Sequence, residues 1–421
     1  MLEIIPVIPF VALLLAIAFM PFISPDWWHK NYDKLSYILA GIVVFYYLAF
    51  ANESERVAHT FVEYVSFISL LFSLFVVSGG IHFSLKGKST PVRNTVFLMI
   101  GGIIANLFGT TGAAMLLIRP YINSNKKRLK PFHIIFFIFI VCNVGGTLTP
   151  IGDPPLFLGY LKGVPFFWVI EHLFGVWSLT MIYLLVVFYI IDTLNYKKSN
   201  NDQVITSERK TVIDKFQVDG NWNFLLLFAI IGSVFIEKPI FLRELIMLLV
   251  AGISYKLTPK RVHEKNEFNF EPIREVAVLF IGIFMTMMPA LKLLSEKSDL
   301  LGLISPGDYY WATGILSSFL DNAPTYLNLM AASMGLQNLD LNLVPDVLKF
   351  VDTYSAYVIS ISVASVFFGA MTYIGNGPNF MVKSISDFSG LKMPNFVEYI
   401  FKYSLVILLP FYILIWYFFV R

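Results

Sequence analysis

Two nine-residue stretches set helix breakers beside polar side chains in apolar surroundings: TPIGDPPLF at 149–157 and TYIGNGPNF at 372–380. Two shorter ones do the same, FGTTGA at 108–113 and LDNAPT at 320–325. The breakers are Gly145, Gly146, Gly152, Pro154 and Pro155 in one case, and Gly369, Gly375, Gly377 and Pro378 in the other. The polar groups are Thr110, Thr111, Asn143, Thr147, Thr149, Asp153, Asp321, Asn322, Thr325, Thr372, Asn376 and Asn379. Hydroxyls, amides, freed carbonyls and one or two carboxylates form a hard-oxygen environment, which suits a small cation such as sodium. Half-helix ends add partial charge of either sign.

Asp321 is the sharpest of these residues. An ionisable group within an apolar segment marks a functional site by default. A buried carboxylate can hold a proton or a metal ion in turn, which is the chemistry of exchange, so Asp321 is the expected sodium ligand. The competing reading is that Asp321 caps the helix that follows. Asp153 reads either as an ion contact or as a turn residue before Pro-Pro. Thr149 and Thr372 read either as oxygen donors or as hydroxyls bonded back to their own helices. Asn143, inside HIIFFIFIVCN, needs a partner wherever it sits. No cofactor is expected beyond the ion as substrate or coupling ion.

The elements that must position these groups are membrane segments. The 421 residues are 57% hydrophobic and 14% charged, against roughly 25% charged in soluble proteins. Mean hydropathy is +0.70. Apolar segments fall at 4–23, 35–51, 61–81, 93–122, 132–149 and 165–192, then at 222–236, 240–255, 274–294, 307–336, 349–373 and 395–419. Several are long enough to cross a hydrocarbon core of about 30 Å. The first looks like a retained helix rather than a leader. The net charge of +3 is spread over loops and does not suggest nucleic acid. The single cysteine, Cys142, excludes an intrachain disulfide and reads as a small core residue.

Six segments, a hydrophilic stretch and six more segments suggest duplication. In the two nonapeptides Thr, Ile, Gly, the second Pro and Phe coincide, and Asp153 faces Asn376. Glu63 and Glu275 open the third and ninth segments, and each lies 46 residues before a break, at Gly109 and Asp321. The expected organisation is a first repeat over 1–194, a cytoplasmic linker over 195–221 and a second repeat over 222–421. If 93–122 and 307–336 are re-entrant hairpins, each half crosses five times and the second is inverted. Lys126, Lys127, Arg128 and Lys130 flank the first hairpin, and Lys256, Lys260, Arg261 and Lys265 fill a later loop. The positive-inside rule puts these loops in the cytoplasm and the N-terminus outside. The fold expected is an all-α polytopic membrane protein with two inverted-topology repeats, each with a re-entrant hairpin and an interrupted helix.

Other ionisable and aromatic residues read more blandly. Glu63, Glu275, Glu171 and Glu244 sit near segment starts, and His59, His82 and His133 at loops or interfaces. Trp27, Trp28, Trp168 and Trp416 fit an interfacial belt. Lys383 follows the second break, where it could neutralise a carboxylate or simply mark a cytoplasmic end.

GGTLTPIGDPPLFLGYLKGVPFFW at 145–168, with LDNAPT, resembles NhaD-type sodium/proton antiporters and their relatives grouped as citrate transporters. These belong to the wider ion transporter superfamily of arsenite pumps and divalent-anion symporters. The resemblance covers nearly the whole chain. It implies inverted repeats, a scaffold domain that forms homodimers, and a transport domain moving as an elevator. The dicarboxylate branch carries Ser-Asn-Thr at both hairpin tips. This chain has Gly109-Thr110-Thr111 and Asp321-Asn322-Ala323, which argues against dicarboxylate symport and leaves tricarboxylates open. The expected activity is exchange of sodium or lithium for protons across an inner membrane. The alternative is a citrate or other carboxylate transporter coupled to a cation or proton. The sequence has no HExxH, GxSxG or GxxxxGK[ST] motif, so nothing in it points to an enzyme.

Overall fold

The structure, a computed structural model, describes residues 4–86, 89–202, 215–236 and 238–421. The chain is mainly helical. In order come α1 (Ile8–Ile23), α2 (Pro25–Tyr46), α3 (Ser54–Gly79), α4 (Pro91–Asn125), α5 (Pro131–Ile140), α6 (Pro154–Lys162) and α7 (Phe166–Asp202). Then follow α8 (Trp222–Ser233), α9 (Leu242–Leu257), α10 (Lys260–Lys265), α11 (Glu271–Glu296), α12 (Pro306–Phe319), α13 (Asn322–Leu336), α14 (Val344–Thr353), α15 (Ser355–Phe368) and α16 (Gly377–Phe388). The last helix, α17, spans Phe396–Val420. Proline opens many of them, including α2, α4, α5, α6 and α12. Its fixed φ suits a first helical turn, where the missing N–H goes unused.

Each of the twelve apolar segments contains helix. Among the described residues seven helices are long and apolar enough to cross a membrane, or eight if Val344–Thr353 and Ser355–Met371, bent by 95°, count as one span. Breaks divide 307–336 and 349–373, while the helices in 4–23, 222–236 and 240–255 are themselves short. Apolar side chains such as Phe45, Ile182 and Phe228 face outward from α2, α7 and α8, as a lipid-facing surface requires. By contrast α5 is sheathed on every side: all residues from His133 to Ile140 are buried. It packs against α4, α7 and α16.

Two features depart from the sequence expectations. The chain is not purely helical, since strands β1 (His82–Lys86) and β2 (Lys215–Asp219) pair antiparallel, with His82 opposite Asp219. Helix α7 also runs on to Asp202, into the stretch whose polarity marked it as linker. Most of that linker, 203–214, lies outside the described residues, as does Lys88.

The doubled-back shape of α4 is direct. Gly109 interrupts it with φ 72° and ψ 155°, a left-handed φ that glycine adopts without steric cost. The helix returns on itself, so that Asn94 Nδ2 donates to Asn125 Oδ1 at 2.7 Å across its base. The equivalent turn between α12 and α13 opens at Leu320 and Asp321.

His133, expected at a loop or interface, is instead fully buried, with Nε2 3.0 Å from Asp192 Oδ1. Arg128 also pairs with Asp192, and the ion pair explains how a histidine and two charges tolerate burial. Trp28 and Trp168 are buried rather than interfacial, and Trp168 stacks on His172. Glu63 pairs with Lys162 at 2.8 Å, and Lys383 pairs with Asp387.

Candidate functional site

The four breaks meet at one side chain, Asp153. Its carboxylate is 1% exposed. Oδ1 accepts from Thr110 Oγ1 at 2.7 Å and from Asn376 Nδ2 at 3.0 Å. Oδ2 accepts from Asn322 Nδ2 at 2.6 Å. Thr110 follows the kink of α4, Asn322 opens α13, and Asp153 and Asn376 are the N-cap residues of α6 and α16. Four helix N-terminal ends therefore converge on one carboxylate.

All three donors are neutral. Among the described residues no basic side chain forms an ion pair with Asp153. Burying an uncompensated charge is costly, so such a group is neutralised by a proton or by a cation. The Oδ1 of Asn322, buried at the same place, has no hydrogen-bond partner among the described residues. Unpaired buried polar atoms are rare enough to need an explanation.

A second layer braces the first. Asn143 Nδ2 donates to Ile138 O and to Asn379 Oδ1, both at 2.8 Å. Asn379 Nδ2 donates to Gly369 O and Thr372 O. Asn376 Nδ2 also reaches Cys142 O at 2.9 Å. These amides satisfy the carbonyls that α5 and α15 leave open where they stop, which is the demand on any irregular backbone away from water.

The two threonines act across elements rather than on their own helices. Thr149 Oγ1 donates to Asn106 O at 2.6 Å, and Thr372 Oγ1 donates to Ser318 O at 2.5 Å. Asn106 lies three residues before Gly109, and Ser318 three before Asp321. The same hydroxyls then accept from Gly152 N and Gly375 N. A Cβ on Gly152 would lie 2.0 Å from Gly146 O, and one on Gly375 would lie 2.7 Å from Gly369 O. Each loop is thus folded onto itself too tightly for any side chain.

The remaining expected residues divide. Asp321, expected to be the principal ion-holding carboxylate, is only half-buried and accepts from Ala323 N at 3.0 Å, capping α13. It is not among the hydrogen-bond donors or acceptors that meet Asp153. Thr325 Oγ1 bonds Asp321 O, and Thr147 Oγ1 bonds Val144 O, each within its own turn. Thr111 is half-buried beside Thr110. Asn106 was missed by sequence reasoning. Its Nδ2 donates to Gly145 O at 2.7 Å, and its Oδ1 accepts from Leu148 N at 2.8 Å. The logic applied to Asn143, an amide stranded in an apolar run, would have found it.

The comparisons with known proteins point to a membrane transporter. The chain is 25% identical over 316 residues to the inner membrane protein YbiR of Escherichia coli strain K12, a match covering 70% of this chain and 77% of that protein. A family model described as "Putative citrate transport" matches residues 1–420, and this multi-pass helical membrane protein belongs to that transporter family.

Proposed function

We propose that the chain is a secondary active transporter in which Asp153 alternates between a proton and a small cation, sodium or lithium. The single observation that carries this reading is the fully buried Asp153 carboxylate, ringed by three neutral donors and, among the described residues, no basic partner. The unpaired Asn322 Oδ1 supplies a ready ligand oxygen. Rotation of the Asn322 or Asn376 amide would offer a carbonyl oxygen in place of an N–H. Thr110 would supply a further oxygen, while Asn143, Thr149 and Thr372 hold the loops that carry the site. Asp321 sets the field at its edge.

The paired bonds of Thr149 to Asn106 and Thr372 to Ser318 support two repeats of one design. Loop charge supports inverted topology, an external N-terminus and a cytoplasmic linker, so that the halves are 1–194 and 222–421. In that arrangement the helices carrying Asp153 would move as an elevator domain against a homodimeric scaffold in an inner membrane.

A second reading has a specific observation behind it. Four helix N-termini at one point favour an anion once Asp153 is protonated, and the family is described by citrate transport. Carboxylate transport coupled to a cation or proton is therefore the alternative. Everted vesicles separate the two readings. Sodium or lithium releasing protons from the lumen, with no citrate uptake, supports exchange. Labelled citrate uptake that needs a proton or sodium gradient, with no cation-triggered proton release, moves the chain to carboxylate transport.

A further inference from the structure

A cavity of about 320 Å³ opens on the face that carries the Lys/Arg-rich loops. It lies between β1, the returning arm of α4, α10 and the end of α16, and is lined by His82, Arg119, Asn123, Lys265, Glu267 and Ser389 among others. A second cavity, about 450 Å³, is lined by Ala331 and Gly335 of α13 with Arg56, Lys292, Glu296 and Asp340. The two are related by position. Arg119 and Asn123 lie ten and fourteen residues after Gly109, and Ala331 and Gly335 lie ten and fourteen after Asp321. Equivalent places in the two hairpins thus carry a guanidinium and an amide in one cavity, and no side-chain donor in the other. Duplication alone gives no reason for that difference.

The charges at the smaller cavity pair off, Arg119 with Glu267 and Lys265 with Asp219, but unequally. Arg119 makes one contact, Nη2 to Glu267 Oε2 at 2.8 Å, and that glutamate is 72% exposed, so water screens its charge. Arg119 Nη1 is shielded and has no hydrogen-bond partner among the described residues. Lys265 is matched by Asp219 at 2.5 Å, whose carboxyl its ammonium holds below the usual range. His82 Nδ1 donates to Asn266 Oδ1 at 2.7 Å, so the other nitrogen of the neutral ring is an acceptor and offers an anion no donor. What remains uncommitted is half of a guanidinium and the Asn123 amide. A planar donor fork with spare N–H groups matches the oxygens of a carboxylate or phosphate.

We propose that this cavity is an anion site, separate from the Asp153 site, that takes a carboxylate- or phosphate-bearing group through Arg119 and Asn123. The group belongs either to a soluble anion or to a lipid headgroup, and Phe388, 93% exposed at the rim, would lie against an acyl chain in the second case.

The test uses the full-length chain in nanodiscs of phosphatidylcholine, titrated calorimetrically with inorganic phosphate and with citrate. Binding should weaken at least about tenfold in Arg119→Gln, the effect of losing a charge-assisted bond, and a few-fold in the exposed Asn123→Ala. Lys260→Gln, an exposed charge on the same face, should bind like wild type. If neither anion binds, nanodiscs containing phosphatidylglycerol replace them, and retention of that lipid by native mass spectrometry should fall in Arg119→Gln. Wild type and Arg119→Gln that are alike towards phosphate, citrate and phosphatidylglycerol overturn the proposal. Citrate binding that survives Arg119→Gln belongs elsewhere and counts against it. None of these readings depends on cation-triggered proton movement, so the Asp153 proposal stands or falls separately.

Discussion

Asn322 Nδ2 lies 2.6 Å from Asp153 Oδ2, across 169 residues of chain. The bond joins the tip between α12 and α13 to the first residue before α6, so segments far apart in sequence build the site together. Among the described residues it leaves the buried amide oxygen of Asn322 without a partner.

Replacing Asn322 should therefore affect ion affinity more than folding. Asn322→Ala removes a bond to a charged group, worth about 1.5–3 kcal/mol. The concentration of sodium giving half-maximal proton movement should rise about tenfold or more. An unchanged value would show that Asn322 holds the loop only.

The threonine braces should behave as a matched pair. Thr149→Val and Thr372→Val each keep the side-chain shape but remove the bond to a neighbouring element and the bond accepted from Gly152 N or Gly375 N, at about 1–3 kcal/mol. Each should lower the thermal midpoint of the purified protein by a similar small amount. A large loss in one and none in the other would argue against equivalent roles.

The tight loops should reject any side chain. Gly152→Ala places a Cβ 2.0 Å from Gly146 O, against backbone that cannot move aside cheaply, so little folded protein should be recovered. Gly252→Ala, in α9 with nothing within 4 Å, should express like wild type. Folded, active Gly152→Ala would contradict the loop geometry.

The buried ion pair below the hairpin should be essential to folding. Asp192→Asn leaves Arg128 buried without its counter-charge, at a cost of about 3–5 kcal/mol. Detergent-solubilised protein should lose its monodisperse elution peak or unfold at markedly lower temperature.

Much of the architecture was legible in the sequence, because membrane segments and their breaks obey strong rules. Each long apolar run holds a helix and Gly/Pro clusters stand at the four breaks, but the short helices α6, α10 and α16 lie outside those runs. The chemistry was less legible where two residues competed for one role. Asp321 and Asp153 both stand at helix starts, and local sequence cannot say which carboxylate turns inward. In the structure one oxygen of Asp321 accepts from Ala323 N, whereas Asp153 accepts from Thr110, Asn322 and Asn376. The β ribbon and the Arg128–Asp192–His133 cluster depend on contacts distant in sequence, and no local pattern marks them.

The most direct measurement compares Asp153→Asn with Asp321→Asn in everted vesicles, following proton release on addition of sodium or lithium. The account predicts no cation response in Asp153→Asn, and a response in Asp321→Asn that persists with altered apparent affinity. Full activity in Asp153→Asn, with loss in Asp321→Asn, would contradict the assignment of Asp153 as the ion-holding carboxylate.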